Sequence, residues 1–158
     1  MRKVLFEQIG NMIVATLFII AACQTVAAST FSTADKSFSI NVTFPFSWLI
    51  FLLAILFFSI ARKLYEKKIG AADGYTQKEG ELSAQDEREK IVGLEASKTT
   101  YRILLVYLAF VLLFFLFGNG FITSAITLRI MTILLFGSCL VFAFLTYLIS
   151  WIVYDHRM

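Results

Sequence analysis

The stretch that decides the fold is SAQDEREKIVGLEASKTTYRILLVYLAFVLLFFLF, residues 83–117. Charged side chains crowd residues 86–102, whereas residues 103–117 contain none. No Gly-Pro pair interrupts the stretch, so one helix can run through both halves. The pattern predicts a helix with one end in water and the other end in lipid.

The composition predicts that the whole chain belongs to a membrane. Of its 158 residues, 59% are hydrophobic and 17 are Phe, and the mean hydropathy is +0.79. A soluble domain of this length needs more polar surface than this chain has. Lys and Arg are interleaved with Asp and Glu in the polar segments. The unbalanced basic stripe of a nucleic-acid-binding protein is therefore missing, and we expect no nucleic-acid partner.

Long apolar runs predict an all-α membrane protein with four transmembrane helices in a bundle, forming one domain over residues 1–158. A bilayer core about 30 Å thick requires about 20 helical residues. The runs are continuous rather than alternating, which favours helices over the strands of a barrel. The predicted spans cover residues 9–28, 44–61, 103–122 and 130–153.

The distribution of basic residues predicts the orientation of these spans. Twelve of the fourteen Lys and Arg residues fall in the N-terminal segment, in residues 62–102 or in the C-terminal tail. Only Lys36 and Arg129 fall on the other side. Because basic loops stay in the cytoplasm, we expect both termini and residues 62–102 to be cytoplasmic. Trp48 is then an anchor at the outer interface and Trp151 one at the inner interface.

The first span has features of a cleavable leader. Residues 20–23, Ile-Ala-Ala-Cys, resemble a bacterial lipoprotein cleavage box in which Cys23 would carry the lipid. However, the segment before the span is long and contains Glu7, and three further spans follow. We expect an uncleaved span, with a lipidated Cys23 as the open alternative.

Residues 62–102 are predicted to form a cytoplasmic helical hairpin that extends the second and third spans. Gly70 is expected to end the first helix. Ser83, with Asp86 three residues later, forms a capping-box pattern that predicts the start of a second helix over residues 84–102. One face of this second helix carries a stripe made of Ile91, Leu94, Lys98 and Tyr101.

This stripe is predicted to contact a partner, because its apolar residues lie in a segment whose charges keep it out of lipid. Three partners remain open: the Leu64/Ile69 face of the preceding helix, a second copy of the chain, and a cytosolic protein. The predicted partner-binding residues are Leu64, Ile69, Arg88, Ile91, Leu94 and Tyr101.

Small residues predict where helices approach one another closely. Ala21, Thr25 and Ser29 recur every four residues in and just after the first span, and Gly137 lies in the fourth span. Such small-xxx-small faces permit close contact between helix backbones. We expect the first and fourth spans to touch at these residues, or this face to form a dimer.

The residues Asp86-Glu87-Arg88-Glu89, followed by Ile91, Ala96-Ser97 and Tyr101, carry a resemblance. The chain resembles small bacterial multi-span membrane proteins of uncharacterised function that have a D-E-R segment, followed by an isoleucine, just before a span. The resemblance implies a bacterial plasma-membrane protein, often encoded beside a small helix-turn-helix regulator or an export system. It implies no catalytic residues.

The spans contain no ionisable residue that would serve intramembrane catalysis, since such groups are costly in lipid and kept only for function. We expect no enzyme activity, no cofactor and no metal site. The favoured function is a regulatory, immunity or complex-assembly protein that acts through residues 62–102 and binds a cytosolic regulator or a transporter subunit. The alternative is one subunit of an oligomeric transporter or channel. Besides lipid, a homo-oligomeric partner is also open.

Overall fold

The computed structural model describes the backbone of residues 2–34, 37–80, 83 and 86–157, and the side chains of these residues except those of 31–40 and 69–73. Four long helices account for most of this part of the chain. All four are long and apolar enough to cross a membrane, which confirms the predicted number of helices. The elements are α1 (Arg2–Ala28), β1 (Thr30–Ala34), β2 (Ser37–Asn41), α2 (Ser47–Asp73), α3 (Glu87–Phe121) and α4 (Ala125–Arg157).

The third helix confirms the continuity predicted from the quoted stretch, because α3 runs unbroken from its charged half into its apolar half. Its predicted start was wrong. Asp86 is the N-cap residue, and it makes no capping hydrogen bond through its side chain. The Ser83 hydroxyl instead donates to the carbonyl oxygen of Gly80, so the predicted capping box does not form.

The second helix also differs from its predicted end. Gly70 lies inside α2, which continues to Asp73. Gly74 follows with φ +63°, a left-handed conformation that costs glycine little and is the usual way to end a helix. The sequence therefore predicted the end of this helix at Gly70, whereas Gly74 ends it.

A short antiparallel hairpin of β1 and β2 connects α1 to α2 and was not predicted. Five residue pairs form its register, from Thr30 opposite Asn41 to Ala34 opposite Ser37. The hairpin is tied to the end of α1, because the backbone N–H of Thr43 donates to the hydroxyl of Ser29 at 3.2 Å. The all-helical prediction thus holds for the four helices but omits this connection.

The helices pack in the order α2, α1, α4, α3, each against its neighbour. Within the described residues, α2 does not pack extensively against α3. The α3–α4 contact includes the Tyr107 hydroxyl, 2.9 Å from the Ser138 hydroxyl, and the Tyr107 ring stacked on Phe142. Large apolar side chains cover the remaining helix surfaces, as expected for surfaces that face lipid.

The main hydrophobic core lies at one end of the molecule. It consists of Val4, Val92, Ala96, Tyr147 and Trp151. Its α3 residues precede residues 103–121, the apolar part of that helix, so the core lies beyond the level of that apolar segment. Burial of apolar surface from water contributes to stability here, whereas lipid-embedded contacts gain little from it.

Candidate functional site

We call the end of the molecule that holds both termini the basic end, comprising residues 2–8, 62–80, 83, 86–102 and 147–157. Four helices converge there. Antiparallel packing brings the start of α1 beside the end of α4, and the end of α2 close to the start of α1. The polar and apolar contacts of this end constitute the candidate site.

The first polar cluster joins α1, α2 and the segment after α2. The carboxylate of Glu7, only 3% exposed, accepts a hydrogen bond from Nε of Arg62 at 2.8 Å. The Tyr75 hydroxyl donates to the same carboxylate oxygen. Arg62 also donates through Nη2 to the carbonyl oxygen of Gln77 at 3.2 Å. The buried charge of Glu7 is therefore compensated by one cation and one phenol.

The second polar cluster joins the start of α1 to the start of α3. Lys3 is fully buried, and its Nζ lies 2.6 Å from Oε2 of Glu89. The same ammonium donates to the carbonyl oxygen of Ser83 at 2.7 Å. Two helix starts and the segment before α3 are thus held by one cation. Together, the two clusters fix the segment between α2 and α3 against α1.

Tyr75 stays protonated in this environment. Burial and hydrogen-bond donation to the Glu7 carboxylate together raise its pKa to about 12, outweighing the opposing effect of Arg62. A neutral phenol can only donate to the carboxylate, so the arrangement is a fixed contact at any physiological pH. The cluster is therefore a structural contact that joins α1, α2 and the segment after α2.

Aromatic rings continue from Tyr75 along the surface between α1 and α2. Tyr75 packs edge-on against Tyr65, with ring centroids 4.9 Å apart. Tyr65 stacks on Phe6 at 4.7 Å, and Phe6 contacts Phe58 at 5.7 Å. The guanidinium of Arg62 lies 5.8 Å from the centre of the Phe58 ring. Ring contacts therefore connect the buried ions to the surface between the two helices.

The predicted stripe, which we call the α3 stripe (Ile91, Leu94, Lys98 and Tyr101), is exposed. Ile91, Leu94 and Tyr101 are 51%, 56% and 64% exposed. Lys98 pairs with Glu95 at 2.7 Å, as their i,i+3 spacing predicts. The opposite face of the same helix is buried in the core described above. The packed face of α3 is thus a different one from the predicted apolar stripe.

Of the other predicted partner-binding residues, Leu64 lies on a helix that does not pack extensively against α3, whereas Arg88 lies on α3 itself, three residues before Ile91. Leu64 of α2 is 52% exposed, and the side chain of Ile69 lies outside the described residues. Arg88 is exposed on α3 and donates to the carbonyl oxygen of Asp155 at 2.7 Å. Arg88 therefore links α3 to the C-terminal turn of α4.

The predicted helix-packing residues fall into two groups. Ala21 is fully buried, and Gly137 of α4 lies against Ile19 of α1, where an added Cβ would be 2.5 Å from the Ile19 side chain. Thr25 instead contacts the start of α2, and Ser29 accepts a hydrogen bond from Thr43 in the segment before α2. The indole Nε1 of Trp48 donates to the Thr25 hydroxyl at 2.7 Å.

Sequence reasoning missed the residues of both polar clusters. Lys3, Arg62 and Glu89 were interpreted as part of the general charge pattern, and Glu7 as a lone acid before the first span. The signal was present in Glu7, which is the only acid in the segment preceding the first predicted span. An acid so close to lipid requires a cation, but the sequence alone does not identify which one.

No group of three or more His, Cys, Asp or Glu residues that could hold a metal occurs in the part of the chain that the structure describes. Residues 6–158 match the family model DUF2178, described as a predicted membrane protein family. The D-E-R segment quoted above is not shown to be a feature of that family. No curated protein and no solved structure is detectably similar to the chain.

Proposed function

We propose that this chain, which belongs to the DUF2178 family of predicted membrane proteins, is a non-enzymatic docking protein of the bacterial plasma membrane. In this proposal both termini and the basic end lie in the cytoplasm, as the excess of Lys and Arg favours. The α3 stripe binds a cytosolic regulator or a transporter subunit. The proposal covers regulatory, immunity and assembly roles, which share this binding step.

The exposure of the α3 stripe is the observation that carries the proposal. Residues 87–102 would extend about 24 Å beyond the apolar part of α3 at 1.5 Å per residue. Side chains of Ile91, Leu94 and Tyr101 that are more than half exposed at this level meet water or the headgroup region. Exposed apolar clusters with a polar rim are typical of protein-binding surfaces.

The stripe is also held rigidly, which favours binding. Val92, Gly93 and Ala96 on the opposite face are buried, and an added Cβ at Gly93 would lie 2.9 Å from Trp151. A helix fixed on one side loses little conformational entropy when its other side binds. The spacing of residues 91, 94, 98 and 101 fits a partner that offers an apolar groove to a helix.

Paired leucines on α3 provide the test. A photo-crosslinking amino acid at Leu94 should capture a protein partner in cells, and Leu94→Ala should lower co-purification of that partner at least about fivefold, as expected for a central interface residue. Leu105→Ala is the matched control, since Leu105 is 50% exposed on the apolar half of the same helix. Leu105→Ala should leave partner recovery unchanged.

Two outcomes would contradict the docking function. One is equal partner recovery with Leu94→Ala and Leu105→Ala. The other is crosslinking from position 94 to lipid alone or to a second copy alone. Matching elution profiles of the two variants in detergent would show that neither result comes from misfolding.

A subunit of an oligomeric transporter or channel is the second candidate. It is supported by α2, which packs mainly on α1 and has no buried residue in its most apolar window. Such an unpacked helix suits lateral contact with further subunits. Ion or solute flux through liposomes containing purified protein would favour this candidate, and a flux equal to that of empty liposomes would exclude it.

A further inference from the structure

A groove between α1 and α2 begins at the basic end and continues along the surface of α1 to Ile13. Its volume is about 650 Å³. Along α1 it is lined by Leu5, Ile9 and Ile13, which lie four residues apart and are each more than 40% exposed. The remaining lining residues are Arg2, Phe6, Gly10 and Phe58.

The floor of the groove is built by a close approach of two helices. An added Cβ at Gly10 would lie 2.0 Å from the Phe58 ring, so only glycine lets this ring rest on the α1 backbone. Phe58 in turn contacts Phe6, which is stacked on Tyr65. Two rings in mutual contact therefore form the floor of a groove that is already open in this structure.

Charge distinguishes the two ends of the groove. Arg2 is exposed at the end near the N-terminus, and the described residues offer it no ion pair. Its neighbour Lys3 is by contrast buried and paired with Glu89. The first turn of α1 contains no acid, so its positive helix end adds to the field of Arg2.

We propose that this groove binds an anionic glycerophospholipid of the surrounding bilayer. The phosphate contacts Arg2, and one acyl chain lies along Leu5, Ile9 and Ile13 on the Phe58 floor. Residues 2–13 of α1 extend about 16 Å, which spans the headgroup level and part of the acyl level. A soluble partner is disfavoured, because the lower half of the groove lies within the predicted span 9–28.

Native mass spectrometry of the full chain tests the site. Protein in mild detergent is exposed to an equal mixture of phosphatidylglycerol and phosphatidylcholine. We expect the wild type to retain one phosphatidylglycerol preferentially, and Arg2→Gln to reduce this retention about fivefold, the effect of one charge near a headgroup. Ile9→Trp, which fills the groove, should reduce retention of both lipids.

Lys78→Gln is the charge-matched control, because Lys78 is an exposed cation at the same end of the molecule but outside the groove. It should retain phosphatidylglycerol as the wild type does. Equal losses with Arg2→Gln and Lys78→Gln would overturn the proposal, since they would show general attraction to anionic lipid. Unchanged retention with Ile9→Trp, in a protein that elutes normally, would also overturn it.

Discussion

At the residue scale, the central feature is a buried carboxyl group at the basic end that is paired with a cation. Glu7 is 3% exposed, and it is matched by Arg62, whose side chain is 29% exposed. Such a pair gains little over apolar residues of the same shape, but breaking it leaves an uncompensated buried charge. The pair joins α1 to α2, and we expect its loss to destabilise this contact.

Glu7→Gln should destabilise the protein by about 2–4 kcal/mol, because Arg62 loses its counter-ion while still partly buried. The free energy of unfolding can be measured by titrating detergent-solubilised protein with a denaturing detergent. Lys98→Gln serves as the control, since the exposed Glu95–Lys98 pair is worth about 0.5 kcal/mol. A Glu7→Gln loss no larger than the Lys98→Gln loss would contradict the buried pairing.

Tyr75 predicts a stability change at high pH. Its pKa is about 12 in the folded protein, against about 10 for an ordinary phenol. Between these values the unfolded chain releases a proton that the folded chain retains, so stability falls as the pH rises. We expect a fall of about 2 kcal/mol between pH 10 and pH 12 from this group.

Tyr75→Phe isolates that contribution, because the other titrating groups remain in place. The variant should lose less stability than the wild type between pH 10 and pH 12, and its phenolate absorbance should lack the component that titrates latest. If both proteins lose stability in parallel, the Tyr75 phenol is not protected as the structure shows.

At the element scale, the sequence predicted helices more accurately than their ends and faces. The continuous apolar runs identify all four helices, because length and hydropathy decide a span without tertiary information. The ends of α2 and α3 were misplaced, because Gly70 and Ser83 carry good local signals that tertiary contacts override. Ser83 is buried, and its carbonyl oxygen accepts a hydrogen bond from Lys3. No local sequence pattern indicates this contact.

The buried face of α3 was missed for a related reason. The residues that pack are Val92, Gly93 and Ala96, which are smaller than the leucine and isoleucine of the α3 stripe. A search for large apolar residues therefore selects the wrong face. Close helix contact requires small residues here, because the bulky Trp151 ring occupies the space between α3 and α4.

Gly137→Ala tests the α1–α4 contact. The new Cβ would lie 2.5 Å from the Ile19 side chain, so we expect a loss of about 1–3 kcal/mol from overpacking. Gly120→Ala is the control, since an added Cβ there meets nothing within 4 Å. Combining Gly137→Ala with Ile19→Ala should give a smaller loss than the sum of the two single losses. Additive losses would mean that the two side chains do not meet.

At the scale of the whole molecule, the fold combines a lipid-facing row of helices with a core at one end. The row order follows from the sequence only in part, because small residues indicated the α1–α4 contact but nothing fixed the position of α2. The polar clusters of the basic end were beyond prediction, since their ion pairs join residues 55 and 86 positions apart along the chain. The α3 stripe was predicted as a surface, and its apolar residues are exposed in the structure.

Orientation is the property on which the docking function depends, and it can be measured by cysteine labelling. In a background with Cys23→Ala and Cys139→Ala, Lys78→Cys introduces a thiol at the basic end, and Thr43→Cys introduces one beside the β1–β2 hairpin. Both positions are exposed. A membrane-impermeant maleimide should label position 43 in intact cells and position 78 only after permeabilisation, because the excess of Lys and Arg favours a cytoplasmic location for the basic end. Labelling of position 78 in intact cells would place the α3 stripe outside, where no cytosolic regulator could reach it.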